Sequence, residues 1–166
     1  MDTLSKKIKM STEINNIILS NNLDGYILPK NDNYFTEYSK INHLKSITNF
    51  SGSSGFAIFL KNKNYLFVDG RYTIQAEKES GEKFKICEIP YIWPKDILKK
   101  QIKIGFDPYL FTWGTLNKYF GDNYKLVPLN LKLKSERKNK NSYPFFTLDP
   151  VVAGESVNKK IGRLIK

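Results

Sequence analysis

Residues 56–72 read FAIFLKNKNYLFVDGRY, and this stretch decides the fold class. Two short apolar runs, at 56–60 and 65–68, are separated by only four polar residues. Apolar runs joined this tightly predict a β-hairpin, and therefore an antiparallel pair of strands. The sequence DGRY ends the second run, and the residues from Tyr72 to about Gly81 predict a helix that ends at a glycine.

Before the hairpin, the sequence predicts one helix and one strand. Ile14, Ile17 and Ile18 recur at the spacing of one helix face. The run GYILP at 25–29 is typical of a buried strand. Residues 30–54 are polar and rich in turn-forming residues, so we expect a loop with one or two short helical turns.

After the hairpin, strand and helix patterns continue to alternate. Strands are predicted at 84–89, 102–107 and 124–128. Pro94 suits the first turn of one helix, and Thr112 is a plausible N-cap for another that reaches Phe120. The expected fold is therefore α/β, with a mixed sheet of about six strands flanked by about four helices.

The sequence changes character after residue 128, which predicts three parts. Residues 1–130 form the α/β domain, and 131–154 form a charged, proline-containing linker. From residue 155 a helix pattern begins, with Val157, Ile161 and Leu164 on one side. We expect residues 155–166 to be the truncated start of a second domain.

The chain has 166 residues and a formal net charge of +11, which raises the possibility of nucleic-acid binding. The positive charges are nearly all lysines scattered along the chain, which favours a solvated surface and no specific nucleic-acid partner. No apolar run approaches the roughly 20 residues of a membrane span, and no signal peptide is visible. The single cysteine excludes an internal disulfide and fits a reducing cytoplasm.

Few residues offer chemistry of their own. His43 is the only histidine, and together with Cys87 it cannot build a Cys/His metal site. We expect His43 to be a surface or loop residue and Cys87 to be a buried structural cysteine. The sequence SGSSG at 51–55 precedes a strand, whereas phosphate-binding loops follow one. It is interpreted as a tight backbone passage into the hairpin.

Asp69 and Arg71 form the most informative cluster, at a junction between a strand and a helix. Asp69 is expected to cap the helix, and Arg71 has two possible roles. In the first it forms a buried or half-buried pair with a carboxylate, whose loss should cost roughly 2–4 kcal/mol. In the second it faces a substrate or a partner domain.

Four motifs occur in a fixed order, and together they carry a family resemblance. They are LDGYILP at 23–29, SITNFSGSSGFAIF at 46–59, LFVDGRYTIQA at 66–76 and IGFDPYLFT at 104–112. In this order and spacing they resemble the N-terminal domain of the Xaa-Pro aminopeptidases, in the creatinase/prolidase superfamily and in its long, three-domain form. The basic stretch at 131–142 departs from the family's pattern.

The resemblance implies a ribonuclease H-like fold without that enzyme's carboxylates. It also implies a parent enzyme that hydrolyses the bond between an N-terminal residue and a following proline, with a divalent metal pair, usually manganese, in a separate catalytic domain. None of that domain's ligands matches a residue here, so no catalytic or metal-binding residue is assigned to this chain.

By the same resemblance, this domain lids the active site and aids assembly. Its partners would be the catalytic domain, a second subunit and the peptide substrate. We take Phe50, Arg71 and Tyr72 as the candidates that face a substrate or another domain. The alternative is a free-standing interaction module or split-gene remnant without peptidase activity.

Overall fold

The computed structural model describes residues 3–36, 42–129 and 146–165. Its helices and strands follow the alternation expected from the sequence. In chain order they are α1 (Thr3–Ser20), β1 (Gly25–Pro29), α2 (His43–Thr48), β2 (Phe56–Leu60), β3 (Asn64–Asp69), α3 (Thr73–Ser80), β4 (Lys85–Ile89), α4 (Pro94–Ile97), β5 (Lys103–Phe106), α5 (Trp113–Phe120), β6 (Lys125–Pro128), α6 (Pro150–Ala153) and α7 (Val157–Leu164). Short 3₁₀ turns lie at Gly70–Tyr72 and Gly121–Asn123.

The predicted hairpin forms and lies inside a six-stranded sheet. β2 pairs antiparallel with β3, where Phe56 lies opposite Phe67, and with β1 on its other side. The strand order is β4-β3-β2-β1-β5-β6. The three remaining neighbouring pairs, β4 with β3, β1 with β5 and β5 with β6, are parallel. Five strands therefore run in one direction and β2 in the other, which confirms the predicted mixed α/β sheet.

Both faces of the sheet are covered, which explains why the central strands are continuously apolar. On one face, Tyr26 and Leu66 pack with side chains from α1, α2 and α3. On the other face, Ile27 and Phe67 pack with side chains from the segment that carries α4 and α5. Cys87 belongs to this second cluster and is buried, as expected. The alternation of side chains along each strand thus supplies two cores.

The polar segment before the hairpin contains the expected helical turn, which extends to the six residues of α2. The Asn42 side chain caps it by accepting a hydrogen bond from the Lys45 backbone N–H at 2.9 Å. The helix ends at Asn49, which has a left-handed conformation with φ of 73°. The described part of residues 1–129 therefore has five α-helices rather than about four.

Within the described residues, no helix is both long and apolar enough to cross a membrane.

The chain divides into two compact units, Met1–Ser135 and Glu136–Lys166. Residues 130–145 lie outside the described residues, and with them most of the predicted linker at 131–154. The last residues of that linker form α6, which sequence reasoning missed. Asp149 caps α6 by accepting from the Val151 N–H at 2.8 Å, and Pro150 occupies its first turn. The helix expected from residue 155 is present as α7, capped by Ser156.

Candidate functional site

The carboxyl ends of β1, β3, β4, β5 and β6 meet at one edge of the sheet, because these five strands run in the same direction. In open α/β sheets, ligands bind in the crevice outside the carboxyl ends of the strands. The amino end of β2 enters at this edge between β1 and β3. The edge is therefore where a site is expected on general grounds.

A cleft with a volume of about 540 Å³ opens at this edge. Its lining comes from the end of β1, the loop after it, the passage into β2, the end of β4 and helix α5. The lining residues are Pro29, Lys30, Asn31, Phe35, Thr36, Ser53, Ser54, Gly55, Phe56, Ile89 and Tyr119. The cleft combines apolar walls with hydroxyl, amide and amino groups, which is the usual composition of a small-molecule site.

The walls of the cleft are held by contacts within the sheet. The Lys30 backbone N–H donates to the Gly55 carbonyl at 3.0 Å, which fixes the end of β1 against the passage into β2. Phe56 stacks on Phe67 on one side, at a centroid distance of 4.7 Å, and on Tyr119 on the other, at 4.2 Å. Tyr119 also stacks on Trp93. These stacking contacts restrict the movement of Phe56 and Tyr119, the two aromatic lining residues that they involve.

The cluster around Arg71 lies at the end of β3, on the same edge. The Arg71 side chain donates to both carboxylate oxygens of Asp69, from Nε at 3.1 Å and from Nη2 at 2.8 Å. Asp69 also accepts from the Arg71 backbone N–H at 3.0 Å, which confirms that it caps the turn after β3. The side-chain hydrogen bond from Arg71 is the largest cause of the lowered pKa of the Asp69 carboxyl.

This pair is on the surface, because the Arg71 side chain is 75% exposed. The expectation of a buried or half-buried pair for Arg71 is therefore wrong. Its guanidinium lies over the Tyr72 ring, 5.3 Å from the centroid, and water reaches both partners. The sequence showed which carboxylate is adjacent to Arg71, but it gave no information on the burial of the pair.

The structure brings the three predicted candidates together. The Phe50 and Tyr72 rings meet edge to face at a centroid distance of 5.9 Å, and the Tyr72 and Ser53 hydroxyls share a hydrogen bond of 2.8 Å. Because Ser53 lines the cleft, Tyr72 connects the Arg71 cluster to it. Phe50 has no exposed surface, so its burial contradicts a direct role in facing a substrate or another domain. The Phe50 ring packs against the Tyr72 ring from inside the core. Arg71 and Tyr72 stay candidates for facing a substrate or another domain.

A second polar network lies beside this cluster and was not predicted. Glu79 of α3 accepts from the Ser51 backbone N–H at 2.7 Å and from the Ser51 hydroxyl at 2.8 Å, and Gln75 donates to both Ser51 and Glu79. Burial alone raises the pKa of the Glu79 carboxyl, but these hydrogen bonds lower it overall. The network ties the glycine-rich passage at 51–55 to α3, which supports the interpretation of this passage as structural.

Cys87 does not have the environment of a nucleophile, and His43 is not among the residues that line the cleft. His43 is the first residue of α2 rather than a loop residue, and it is half-buried. Burial lowers the pKa of its imidazole and raises the pKa of the Cys87 thiol, so at neutral pH both favour their uncharged forms. A nucleophilic cysteine needs the opposite shift.

The donor groups also do not fit the metal pair that the resemblance implies for the parent enzyme. Among the described residues, no group of three or more His, Cys, Asp and Glu side chains lies close enough together to hold a metal ion. A dinuclear site needs several such ligands around each ion. The described residues therefore do not offer the ligand set of a metal pair.

The sequence model of the creatinase/prolidase N-terminal domain matches residues 12–138. The chain belongs to this family. Xaa-Pro aminopeptidase 1 of Dictyostelium discoideum is 32% identical over 80% of the chain, and the match covers 21% of that protein. Xaa-Pro aminopeptidase 2 of Sus scrofa is 28% identical over 92% of the chain, which is 25% of that protein. The chain thus spans about a quarter of the length of these relatives.

Solved structures share the creatinase/prolidase N-terminal fold of this chain. An X-prolyl aminopeptidase from Caenorhabditis elegans, described as a cytosolic enzyme with a di-nuclear active site, superposes with a TM-score of 0.72 at 24% identity. That match covers 99% of this chain and 30% of the nematode protein. A creatinase/prolidase-like N-terminal domain from Corynebacterium diphtheriae gives a TM-score of 0.58 at 14% identity, over 75% of this chain and 96% of that one.

The exposed Asp69–Arg71 pair leads to a prediction that reverses the expectation from the sequence. We expect Arg71→Ala to lower the free energy of unfolding by no more than about 1 kcal/mol, because exposed ion pairs are worth little. Lys61→Ala, which removes an exposed contact of 3.9 Å to Asp24, is the matched control. Urea melts of both variants and of Arg71→Lys measure the difference. A loss near the 2–4 kcal/mol of a buried pair, for Arg71→Ala alone, would contradict this.

The Asp69–Arg71 pair also makes the stability difference between the wild type and Arg71→Ala depend on pH. Folding lowers the pKa of Asp69, so the stabilisation is complete above the ordinary carboxyl pKa and is lost as the pH falls through the lowered value. We therefore expect the small difference between the wild type and Arg71→Ala to disappear in acid. Melts repeated in that pH range measure it, and a difference that grows in acid would be inconsistent with this pairing.

Proposed function

We propose that this chain is the non-catalytic N-terminal domain of an Xaa-Pro aminopeptidase. The observation that carries the proposal is the family match over residues 12–138, together with relatives named Xaa-Pro aminopeptidase that align with most of the chain. The parent enzyme would hydrolyse the bond before proline, and its divalent metals, manganese by resemblance, would be held by residues of the catalytic domain. The single buried cysteine and the likeness to a protein described as cytosolic support a cytoplasmic location.

We further propose that the carboxyl edge of the sheet is the face that lids the catalytic domain. The described part of the first unit exposes seven large apolar side chains, and six of them follow the carboxyl ends of β1, β3, β4 and β5. These six are Tyr34, Phe35, Ile74, Tyr91, Tyr109 and Trp113. Apolar side chains concentrated on one edge are typical of an interaction surface, and the cleft and the Arg71 cluster lie on the same edge.

The partner of this edge would be the catalytic domain of the same protein or of a second subunit. Closing such a lid excludes water from an active site and limits the length of substrate that can enter. In this arrangement Arg71 and Tyr72 would face the partner across the closed cleft. Their exposure and half-exposure in this chain support that role.

The first test concerns catalysis. We expect this chain alone to release no proline product from an Xaa-Pro peptide in the presence of manganese, because its described residues offer no ligand set for a metal pair. Product release is measured by chromatography against a buffer blank and against a full-length Xaa-Pro aminopeptidase. Hydrolysis that co-purifies with the chain through successive columns would overturn the assignment of a non-catalytic role.

The alternative function is that of a free-standing interaction module. The reading frame of the gene after codon 166 distinguishes it from the peptidase domain. A reading frame that continues after codon 166 with histidine- and glutamate-bearing motifs supports the peptidase domain. A stop codon at that point supports the module. This observation is independent of the hydrolysis assay.

A further inference from the structure

The edge of the sheet opposite the cleft collects a large share of the lysines. The amino ends of β1, β3, β4, β5 and β6 meet there, together with the end of β2. We call this the basic edge, and it consists of residues 21–25, 61–64, 81–85, 99–103 and 121–125. These segments contain eight lysines and three carboxylates. The lysines are Lys61, Lys63, Lys83, Lys85, Lys99, Lys100, Lys103 and Lys125, and the carboxylates are Asp24, Glu82 and Asp122.

The carboxyl edge has no such excess of positive charge. Its described segments are 30–36, 49–55, 69–72, 90–93 and 107–112, and they contain two basic and three acidic side chains. The basic ones are Lys30 and Arg71, and the acidic ones are Asp32, Asp69 and Asp107. The lysines are scattered along the sequence, but the fold therefore places many of them at one end of the strands.

The lysines of the basic edge lie next to one another rather than next to acids. In the register of β5 and β6, Lys103 is directly opposite Lys125, an arrangement in which like charges repel. Lys85 is opposite Tyr65, two residues after Lys63. An anion bound between such lysines would relieve their repulsion.

Most of these charges have no acidic partner. Five exposed lysines of the basic edge form no ion pair with the described residues: Lys83, Lys85, Lys99, Lys100 and Lys125. Asp24 is already used, because it accepts from the Lys103 backbone N–H at 2.8 Å and lies 3.9 Å from the Lys61 amino group. The basic edge thus keeps an uncompensated positive charge at its surface.

The lysines form a long and curved row. Neighbouring strands lie about 4.8 Å apart, so six strands span about 24 Å. Lysines stand at the β2–β3 turn and at the amino ends of β4, β5 and β6, which places them across both halves of the sheet. Because each strand is rotated by about 20–25° from its neighbour, the row follows the twist of the sheet.

The composition of the basic edge discriminates between partners. Its described segments expose no large apolar side chain, and Leu19 in the last turn of α1 is the nearest one along the chain. Protein interfaces are depleted of lysine and have an apolar centre. Helices that bind a membrane surface insert apolar side chains next to their basic ones. Interfaces with nucleic acids are polar and strongly positive, which is the composition found here.

We propose that the basic edge binds the phosphate backbone of a single-stranded nucleic acid without reading its sequence. Lysine contacts a phosphate as a point charge, and phosphate contacts carry no sequence information. A flexible single strand can follow the twisted row of lysines, whereas a duplex is stiff over about 50 nm. The inference does not rest on the proposed function, because the basic edge and the carboxyl edge lie at opposite ends of the strands.

Binding is measured by fluorescence anisotropy with a labelled single strand of about 12 nucleotides, a length within the usual range of such sites. The comparison probes are a strand of permuted sequence and the duplex of the first strand. We expect a Kd of about 10⁻⁴–10⁻⁶ M at physiological salt, with tighter binding at low salt. The permuted strand should bind equally well and the duplex more weakly.

Two variants with the same loss of charge locate the binding. In the edge variant three exposed lysines become glutamine: Lys85→Gln, Lys100→Gln and Lys125→Gln. The control variant changes three exposed lysines of α2 and α7, outside the basic edge: Lys45→Gln, Lys159→Gln and Lys160→Gln. Thermal melts check that both variants are folded.

The salt dependence makes the comparison quantitative. Each phosphate contact contributes about 0.7 to the slope of log K against log salt for a single strand. We expect the edge variant to have a slope shallower by about 2, and an affinity at low salt that is at least about tenfold lower. The control variant should keep a slope close to that of the wild type.

Four results would overturn the proposal. They are no binding of the single strand at low salt, equal effects of the two variants on slope and affinity, a duplex that binds as tightly as the single strand, and poly-glutamate or phosphatidylserine vesicles that compete as well as unlabelled strand at equal charge. The second result would show a general effect of net charge, and the last a protein or membrane partner. The hydrolysis assay and the reading frame are unaffected by all four.

Discussion

Phe50→Ala is expected to lower the free energy of unfolding by about 3–5 kcal/mol, the usual cost of removing a buried aromatic ring. Phe50 has no exposed surface and belongs to the core between the sheet and helices α1 to α3. Its ring also meets the Tyr72 ring edge to face at 5.9 Å. Removal leaves a cavity and loosens the support of Tyr72. Chemical denaturation of the variant and the wild type measures the loss.

Phe35→Ala is the matched control, because it removes the same ring from a position that is 55% exposed. We expect it to change the free energy of unfolding by less than about 0.5 kcal/mol, as is usual for surface substitutions. If Phe50→Ala cost as little as Phe35→Ala, Phe50 would not be a core residue. It would then return to the residues that face a substrate or another domain.

The sheet could be predicted because its signals are local. The hairpin at 56–68 followed from two apolar runs and a four-residue turn, and the continuous apolar strands followed from burial on both faces. The caps at Asp69 and Thr112 were also readable, since a capping side chain acts within three residues of its own position. Turns and helix caps of this kind are formed by residues that are close together in the sequence, so the sequence alone indicates them.

The cleft could not be predicted in the same way, because it is assembled from distant segments. Asn31 donates to the carbonyl of Leu110 and Ser51 is held by Glu79, pairs that are 79 and 28 residues apart. Nothing in either local sequence indicates its partner. Side-chain exposure is also a property of the whole fold. The sequence therefore left two roles open for Arg71, a buried or half-buried pair and an outward-facing one, and the structure places its side chain on the surface.

The glycines of the passage at 51–55 are part of the family motif, and the packing around Phe50 explains why glycine is needed there. A Cβ atom on Gly52 would lie 2.2 Å from the Phe50 ring, so this glycine leaves room for the ring. A Cβ atom on Gly55 would lie 3.3 Å from the same ring and 2.8 Å from the Phe67 carbonyl oxygen of β3. The pattern Phe50, Gly52, Gly55 is therefore a packing requirement. It needs no ligand to explain it.

Gly55→Ala is expected to lower the free energy of unfolding by about 2–4 kcal/mol, from backbone strain and overpacking together. Gly55 has a φ of 153°, which L-residues rarely adopt, and an added Cβ would lie 2.8 Å from the Phe67 carbonyl oxygen. That oxygen belongs to the backbone of β3 and cannot move without disturbing the sheet. Urea melts measure the loss, with Gly114→Ala as the matched control. Gly114 lies in the first turn of α5, where an added Cβ would lie 4.0 Å from the Thr112 hydroxyl oxygen. Alanine therefore fits there without strain and should stabilise the protein by about 0.4–1 kcal/mol. Equal effects of the two substitutions would show that the passage into β2 can relax, and that the sheet does not hold the edge on which the cleft is built.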